Sequence, residues 1–308
     1  MTYPKISIII LNWNKKDLLA KCLETLKDNT DYDNYRVVAV DNGSEDGSSE
    51  MVEQSFKWAE LVENKENLGF SKGNNVGIKY ALKNHDPDFV LLLNNDTEII
   101  QKDWLKELVK AGSVEGIGIT TGVELHPHQI ATFYGGNENT KFAISDSKGE
   151  TGSCLLIKRG VIEKIGLLDE IFSPYSSEDV DYFARVRKAG YKTAYTRKAP
   201  IFHHVSASRS FKTPYSLYIA QRNAMRRELL NSPFHKLAIE LLSDFVVGFL
   251  KVFMVRKDKF QPISLSNLEI AENILTRLRY FFEAYLDNIK IIRELIYKRR
   301  HRLEKIWY

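Results

Sequence analysis

The sequence predicts an α/β fold in which a mixed sheet is flanked by helices and followed by a helical C-terminal region. In the first part of the chain, short runs of Val, Ile and Leu alternate with helical patterns, as in βα units that feed a largely parallel sheet. Residues 124–150 lose this rhythm, and the pattern after Pro214 is helical. A chain of 308 residues with 44% hydrophobic content is long enough for one large domain plus an appendage.

The first predicted strands are short, continuous apolar runs, which are typical of strands buried on both faces. Each is followed by a segment with the apolar spacing of a helix. The predicted pairs are Ile6–Leu11 with Leu18–Leu26, Val37–Val40 with Met51–Phe56, and Phe89–Leu93 with Trp104–Val109.

Residues 124–150 are rich in Gly, Asn and other polar residues, which favours a loop or a β-excursion beside the sheet. The elements predicted after it are a strand at Ser153–Ile157, a helix at Asp179–Ala189, a strand at Ala199–Phe202, and helices at Tyr215–Leu230, Phe234–Val255 and Leu268–Trp307. We therefore divide the chain into a domain over residues 1–212, with halves of about 1–123 and 124–212, and a helical region over residues 213–308.

The composition limits the function classes. Two cysteines, Cys22 and Cys154, exclude a disulfide framework and a Cys-based metal site, and a reducing compartment fits them best. The N-terminus lacks the basic and apolar regions of a signal peptide, which predicts a cytoplasmic protein. No Gly-x-Gly-x-x-Gly follows the first strand and no P-loop motif occurs, which argues against a dehydrogenase or an NTPase.

Polar residues follow each strand of the predicted sheet. Ligands of open α/β sheets bind at the carboxyl ends of the strands, so these residues are candidates for a site. Each segment alone is also explained by ordinary turn or helix-cap chemistry, and only their joint placement favours a site. The segments are Asn12 to Asn14, Asp41 to Ser44, Glu63 to Gly69, and Asn94 to Thr97.

Six segments in this order closely resemble glycosyltransferase family 2, and most nearly its rhamnosyltransferase-like branch. They are Ile6 to Asn14, Val40 to Ser44, Glu63 to Asn75, Leu92 to Thr97, Thr151 to Cys154, and Ser177 to Asp181. The resemblance implies a GT-A fold, a nucleotide-diphosphate sugar donor such as dTDP-rhamnose or a UDP-hexose, inversion at the anomeric carbon, and a hydroxyl acceptor on a glycan or a lipid-linked molecule. Residues 1–123 would bind the nucleotide sugar and residues 124–212 the acceptor.

The resemblance also implies roles for individual residues. The turn after the first strand and the acid after the second would line the nucleoside pocket, and residues around the third helix would approach the nucleotide and the sugar. The implied substrate-binding residues are Asn12, Trp13, Asn14, Asp41, Asn67, Gly69, Asn74, Asn94, Asn95, Gly152 and Glu178.

A divalent metal ion, Mn²⁺ or Mg²⁺, is implied by the acidic motif of this fold. That motif usually reads Asp-x-Asp, whereas here it reads Asn94-Asn95-Asp96, with one carboxylate replaced by an amide. A hard cation can still be held by Asp96, water and a diphosphate. The alternative is that Asp96 caps a helix. Side chains alternate between the two faces of a strand, so only one of His203 and His204 would face the site, and the resemblance to the family favours His203 as a second ligand.

The same resemblance assigns Asp179 as the catalytic base that removes the proton from the acceptor hydroxyl. The alternative is that acids in a first helical turn merely complement the helix dipole. We favour that alternative for Asp181.

The C-terminal third of the chain is basic, although the formal net charge of the whole is only +4. Basic charge beside apolar helix faces fits an anionic membrane at the inner face of the cell. Packing on the first domain, or on another subunit in an oligomer, fits equally well. The apolar stretch Leu237–Val255 is interrupted by charges and makes a poor spanning helix. No nucleic-acid-binding module accompanies the charge.

Two rival functions follow. A sugar-phosphate nucleotidyltransferase would need a Gly-rich basic loop where Asn12-Trp13-Asn14-Lys15-Lys16 stands, and this segment has no glycine. A catalytically silent nucleotide-sugar-binding or membrane scaffold protein of the same fold has the altered Asn94-x-Asp96 motif as its support.

Overall fold

The computed structural model describes residues 3–125, 143–145, 152–204, 213–253 and 267–302. The described residues form two compact units. The first contains the described residues up to Pro174 together with residues 178–204, and the second contains Tyr175–Ser177, residues 213–253 and residues 267–302.

One mixed sheet forms the centre of the first unit, as predicted. Its order is β3-β2-β1-β4-β8-β6-β9-β5, and β7 also pairs with β9. Strands β3, β2, β1 and β4 are parallel, whereas β8 runs antiparallel to β4 and to β6. The strands are β1 Ile6–Asn12, β2 Tyr35–Asp41, β3 Glu60–Glu63, β4 Phe89–Asn94, β5 Thr97–Ile99, β6 Ile117–Leu125, β7 Ala143–Ser145, β8 Cys154–Lys158 and β9 Lys192–His203.

Helices cover both faces of this sheet. They are α1 Lys16–Asp28, α2 Ser48–Ser55, α3 Phe70–Asn84, α4 Trp104–Gly112, α5 Arg159–Ile165 and α6 Glu178–Lys188, with a 3₁₀ turn at Glu170–Phe172. Successive side chains of β1 enter different cores, since Ile8 and Ile10 pack with α1 and α4 whereas Ile9 packs with α3, α5 and α6. This double burial explains the continuous apolar runs.

Helix α3 lies close to the sheet at two glycines. A Cβ atom on Gly77 would lie 2.4 Å from Cγ2 of Ile9, and one on Gly73 would lie 2.6 Å from Cδ1 of Leu11. Both glycines therefore allow a close approach, which brings the first turn of α3 near the carboxyl end of β1.

The second half of the sheet departs from the sequence prediction. Strand β9 begins at Lys192, although only Ala199–Phe202 is predicted, because Arg197 and Lys198 in its middle are exposed and conceal the pattern. Strand β6 extends to Leu125, into the segment predicted as a loop or β-excursion. Within that segment the structure describes only residues up to 125 and β7, so the rest of this prediction lies outside the described residues.

The second unit contains helices α7 Pro214–Asn231, α8 Phe234–Phe253, α9 Asn267–Lys290 and α10 Ile292–Arg300. Rings on the inner faces of α8 and α9 pack together, with centroids 5.2 Å apart for Phe245 and Phe281. The predicted single helix Leu268–Trp307 is wrong, because the described part is interrupted at Ile291, where ψ is 15°. No Gly or Pro marks this break. Within the described residues, no helix is long and apolar enough to cross a membrane.

Candidate active site

The carboxyl ends of three parallel strands meet at one edge of the sheet. Asn12 of β1 is paired with Asp41 of β2, and Leu11 of β1 is paired with Asn94 of β4. The polar residues that end these strands are therefore neighbours, as the strand-end rule predicts.

Hydrogen bonds among these residues shape the turn after β1. The Oδ1 atom of Asn12 accepts a hydrogen bond from Nδ2 of Asn95 at 2.6 Å. The Oγ atom of Ser44 accepts one from the backbone N–H of Asn14 at 2.9 Å. Trp13 projects from this turn and is 51% exposed. The amides of Asn12 and Asn95 thus hold the turn, while the Trp13 ring is accessible at the edge.

Asp41 is the buried acid of this edge, only 4% exposed. Its Oδ2 atom accepts a hydrogen bond from the backbone N–H of Ser44 at 2.8 Å. Its Oδ1 atom is buried without a hydrogen-bond partner among the described residues. A buried acceptor without a donor is costly, so this oxygen suits a hydrogen-bond donor supplied by a ligand.

Asn42 organises the loop after β3, a role that the sequence does not predict. Its Nδ2 atom donates to Oδ1 of Asn67 at 2.9 Å, and its Oδ1 atom accepts from Nδ2 of Asn64 at 3.1 Å. Oδ1 of Asn67 also accepts from the backbone N–H of Gly69 at 2.9 Å. The side-chain oxygen of Asn67 therefore fixes the loop, and Asn42 is one of the residues that hold it there.

Gly69 lies where this loop enters α3. Its φ is 78°, and a Cβ atom there would lie 2.8 Å from Cα of Pro174. The backbone N–H of Phe70 donates to the carbonyl of Pro174 at 2.7 Å. Asn74 is buried, and its Nδ2 atom donates to the carbonyl of Phe70 at 3.0 Å. Gly69 and Asn74 thus secure the first turn of α3 beside the segment that leads towards α6.

Asp96 and His203 form the candidate metal pair. Oδ1 of Asp96, which is 3% exposed, lies 3.1 Å from Nε2 of His203. The other ring nitrogen of His203 lies 3.4 Å from Oε2 of Glu124. Burial disfavours the charged imidazole, but the two carboxylates outweigh this cost and raise the pKa of His203 to about 9. His204 points elsewhere, with its Nε2 atom 2.5 Å from Oε1 of Glu98.

The Asp96–His203 spacing fits a shared cation. Neighbouring ligands of an octahedral ion with metal–ligand distances of about 2.1 Å lie about 3 Å apart. Among the described residues, no cluster of three His, Cys, Asp or Glu side chains could hold a metal ion. A cation bound by Asp96 and His203 would therefore take its other ligands from water or substrate.

Glu124 is a further residue missed from the sequence. It lies on β6 with Ser153 as a second neighbour, since Oγ of Ser153 donates to Oε1 of Glu124. A carboxylate on the far nitrogen of a metal-binding imidazole commonly orients the ring. Glu124 lies near the carboxyl end of β6, but the polar composition of residues 124–150, which predicts a loop or a β-excursion, conceals that strand end.

Asp179 lies in the first turn of α6 and is half-buried. Its Oδ1 atom accepts a hydrogen bond from the backbone N–H of Val180 at 2.8 Å. A Cβ atom on Gly152 would lie only 2.5 Å from Oδ2 of Asp179, so the carboxylate occupies the space that the glycine leaves. Ser153, which follows Gly152, accepts a hydrogen bond at its carbonyl from the backbone N–H of Asn94 at 2.9 Å. Gly152 therefore links Asp179 to the end of β4.

The remaining acids of α6 have different surroundings. Glu178 is buried at the start of the helix. Asp181 is fully buried, and its Oδ2 atom accepts a hydrogen bond from Nε of Arg185 at 3.1 Å. The guanidinium also donates to the carbonyls of Ile165 and Leu167. The helix-dipole interpretation of Asp181 is therefore incomplete, because its structural role is a buried ion pair.

Comparison with known proteins gives relatives that include two proteins named for O-antigen synthesis. The chain is 29% identical over 234 residues to the O-antigen biosynthesis protein RfbC of Myxococcus xanthus. The aligned region covers 67% of this chain and 18% of RfbC. It is 26% identical over 214 residues to the O-antigen chain rhamnosyltransferase RfbN of Salmonella typhimurium. That aligned region covers 65% of this chain and 66% of RfbN. The chain thus spans less than a fifth of the length of RfbC.

A solved structure with the same fold is the mannosyltransferase PcManGT from Pyrobaculum calidifontis in complex with GDP-Man and Mn²⁺. It aligns with a TM-score of 0.59 at 16% identity and covers 94% of this chain and 88% of that chain. The predicted GT-A fold is thereby confirmed. The model of the family described as glycosyl transferase family 2 matches residues 7–166, which is more than half of the sequence. Because this match covers more than half of the sequence, the chain belongs to glycosyl transferase family 2.

Proposed function

We propose that the chain is an inverting glycosyltransferase that moves a sugar from a nucleotide-diphosphate donor to a hydroxyl of a glycan or a lipid-linked acceptor. The observation that carries the proposal is the Asp179 carboxylate, which is held against Gly152 beside the strand end that leads to Asp96. Membership of the family supports sugar transfer. The likeness to the rhamnosyltransferase RfbN favours dTDP-rhamnose as donor, with a UDP-hexose as the alternative.

The nucleoside would bind at the ends of β1 and β2. The unpartnered Oδ1 atom of Asp41 is a buried acceptor for a donor group of the base or the ribose. The accessible ring of Trp13 offers an apolar surface nearby. Asn12, Asn14, Asn67, Gly69, Asn74 and Asn95 would act by holding the loops that frame this pocket.

Asp96 and His203 would hold Mn²⁺ or Mg²⁺, and Asn94 lies on the same turn. A bound cation supplies neutralisation of the charge on the departing nucleoside diphosphate. The presence of Mn²⁺ in PcManGT supports this choice. Glu124 would orient the imidazole of His203 from its other side.

In the proposed reaction, Asp179 accepts the proton of the acceptor hydroxyl while that oxygen attacks the anomeric carbon from the face opposite the leaving group. The new glycosidic bond forms as the bond to the diphosphate oxygen breaks, which inverts the anomeric configuration. Glu178 would contact the substrate from the same helix turn. Two free, buried cysteines fit a reducing compartment, and we place the reaction in the cytoplasm.

A donor panel tests the proposal. The protein is incubated with UDP-, GDP- and dTDP-sugars in the presence of Mn²⁺ or Mg²⁺, and nucleoside diphosphate release is measured. We expect release from one donor, by slow hydrolysis where no acceptor is present. Donor binding by calorimetry without release from any donor, with glycan and lipid-linked acceptors added, would instead support the catalytically silent scaffold protein.

Asp96→Ala is expected to weaken Mn²⁺-dependent donor binding by at least about tenfold, because even changes around a metal ligand have effects of that size. Calorimetric titration of the donor with and without Mn²⁺ measures this change. Glu98→Gln is the matched control, since Glu98 contacts His204 rather than His203 and its loss should leave the titration unchanged. Equal Mn²⁺ dependence in the parent and Asp96→Ala would remove Asp96 from the metal site.

A further inference from the structure

Helix α8 of the second compact unit exposes its apolar side. Ile239 is 70% exposed, Leu242 64% and Leu250 53%, and Val246 and Phe253 are exposed to nearly the same extent. At 3.6 residues per turn these five side chains fall within an arc of about 80°. We call them the α8 stripe.

The acids of this helix lie away from that stripe. Glu240 and Asp244 are half-buried, and Oδ2 of Asp244 lies 3.6 Å from a guanidinium nitrogen of Arg227 on α7. A surface helix of a globular protein usually has the opposite arrangement, with charges outside and apolar residues inside. Helix α8 is therefore built to present an apolar face outwards.

Helix α9 carries a second exposed stripe, formed by Leu275, Phe282, Leu286 and Ile289. Their exposed fractions are 66%, 49%, 54% and 58%. They fall within an arc of about 60°, by the same helical geometry. Arg279 and Lys290 lie at the edge of this α9 stripe, with their side chains 78% and 72% exposed.

The exposed charges of this unit are mainly positive. Among its described side chains, a single exposed acid, Glu294, stands against five exposed basic residues. The basic residues are Lys236, Arg279, Lys290, Arg293 and Arg300. The apolar stripes therefore belong to a unit whose exposed charge is mainly basic among its described side chains.

We infer that the α8 and α9 stripes dock on an anionic lipid surface. Apolar side chains of an interfacial helix enter the boundary of the acyl chains, while Lys and Arg reach the lipid phosphates through their long stems. This surface needs neither donor nor acceptor to bind, so it goes beyond the proposed transfer reaction.

A second copy of the chain fits these stripes less well. In a two-fold symmetric dimer the same patch meets itself, so its charges face their own kind. Arg279 and Lys290 are paired with Glu283 and Asp287 of their own helix. The described part of the unit still carries exposed Lys236, Arg293 and Arg300 against one exposed acid, Glu294, so a contact with its own copy would add like charge to like charge. An anionic partner complements this surface, whereas a copy of itself does not.

Vesicle flotation tests the inference on the full chain. We expect the protein to float with vesicles of equal parts phosphatidylglycerol and phosphatidylcholine, and to stay behind with phosphatidylcholine alone or at high salt. The triple variant Leu242→Gln/Val246→Gln/Leu250→Gln changes only exposed positions and should abolish flotation while circular dichroism is unchanged. Failure of flotation would leave the donor-release experiment unaffected, so the two proposals fail separately.

Arg293→Gln and Glu294→Gln form a matched pair of adjacent, exposed positions. Arg293→Gln should weaken binding to the anionic vesicles by about fivefold, the effect of about 1 kcal/mol for one basic residue at such a surface. Glu294→Gln should bind as well as the parent or better. The inference is overturned by a parent protein that does not float, by equal flotation of the triple variant, or by a dimer in light scattering that the triple variant dissociates. Binding to an oligonucleotide that survives the triple substitution would likewise assign the surface to nucleic acid.

Discussion

Asp179→Asn is expected to lower kcat for sugar transfer by about 100- to 10,000-fold, the usual contribution of a general base. The amide has nearly the shape of the carboxylate and can still accept the hydrogen bond from the backbone N–H of Val180, but it cannot take a proton. Donor affinity should be retained, because the nucleotide would bind at the ends of β1 and β2 rather than at α6. Steady-state transfer and donor titration by calorimetry measure the two effects separately.

Asp17→Asn is the matched control for the helix-dipole alternative. Asp17 is an exposed acid in the first turn of α1, so its replacement removes the same kind of dipole interaction, worth about 0.3–1 kcal/mol of stability, without touching the site. It should transfer sugar at the parental rate. If Asp179→Asn also does so, the base lies elsewhere and Asp179 is only a helix-terminal acid.

Asp181→Asn is expected to lower the free energy of unfolding by about 3–5 kcal/mol, because it removes the carboxylate that pairs with the buried guanidinium of Arg185. Both side chains are fully buried, and the guanidinium also donates to the carbonyls of Ile165 and Leu167. Urea unfolding followed by circular dichroism measures the loss. At temperatures where the variant is folded, its kcat should stay close to the parental value, in contrast to Asp179→Asn.

Glu163→Gln gives the comparison at an exposed pair with the same i,i+4 spacing. Nε of Arg159 and Oε1 of Glu163 lie 2.8 Å apart, but the two side chains are 36% and 54% exposed. Loss of this ion pair should therefore lower the free energy of unfolding by less than about 0.5 kcal/mol. The apolar double variant Asp181→Leu/Arg185→Met should recover part of the stability lost in Asp181→Asn, because neither charge stays buried, although the carbonyls of Ile165 and Leu167 lose a donor. Equal unfolding midpoints for Asp181→Asn and Glu163→Gln would contradict the buried-ion-pair role.

The central strands and the edge of the site follow from the sequence for a simple physical reason. Strands β1, β2 and β4 are buried on both faces, and this burial requires continuous runs of apolar residues. Each run ends at a polar residue that lies in register with the neighbouring strand. Asn12, Asp41 and Asn94 could therefore be placed together from the sequence alone. The resemblance to a family then supplied their chemistry.

The roles of Asn42, Glu124 and Asp181 could not be obtained in this way, because they depend on contacts between distant segments. Asn42 and Asn67 meet only when two loops fold together, and Glu124 meets His203 only through the pairing of β6 with β9. Asp179 and Asp181 stand two positions apart in one helix turn, yet one lies over Gly152 and the other meets Arg185. Local sequence describes both as acids at a helix start.

The reversed direction of β8 has a consequence for redesign of the protein. Because β8 runs against β4, its first residues meet the last residues of β4, and this pairing sets Gly152 under Asp179. A one-residue insertion inside β8 would turn its side chains to the opposite faces and carry Gly152 out of place. Length changes before Gly152 leave the pairing of Cys154 with Leu93 intact. Grafting of segments from related enzymes, as a route to new acceptors, should therefore join upstream of Gly152 and keep β8 at its native length.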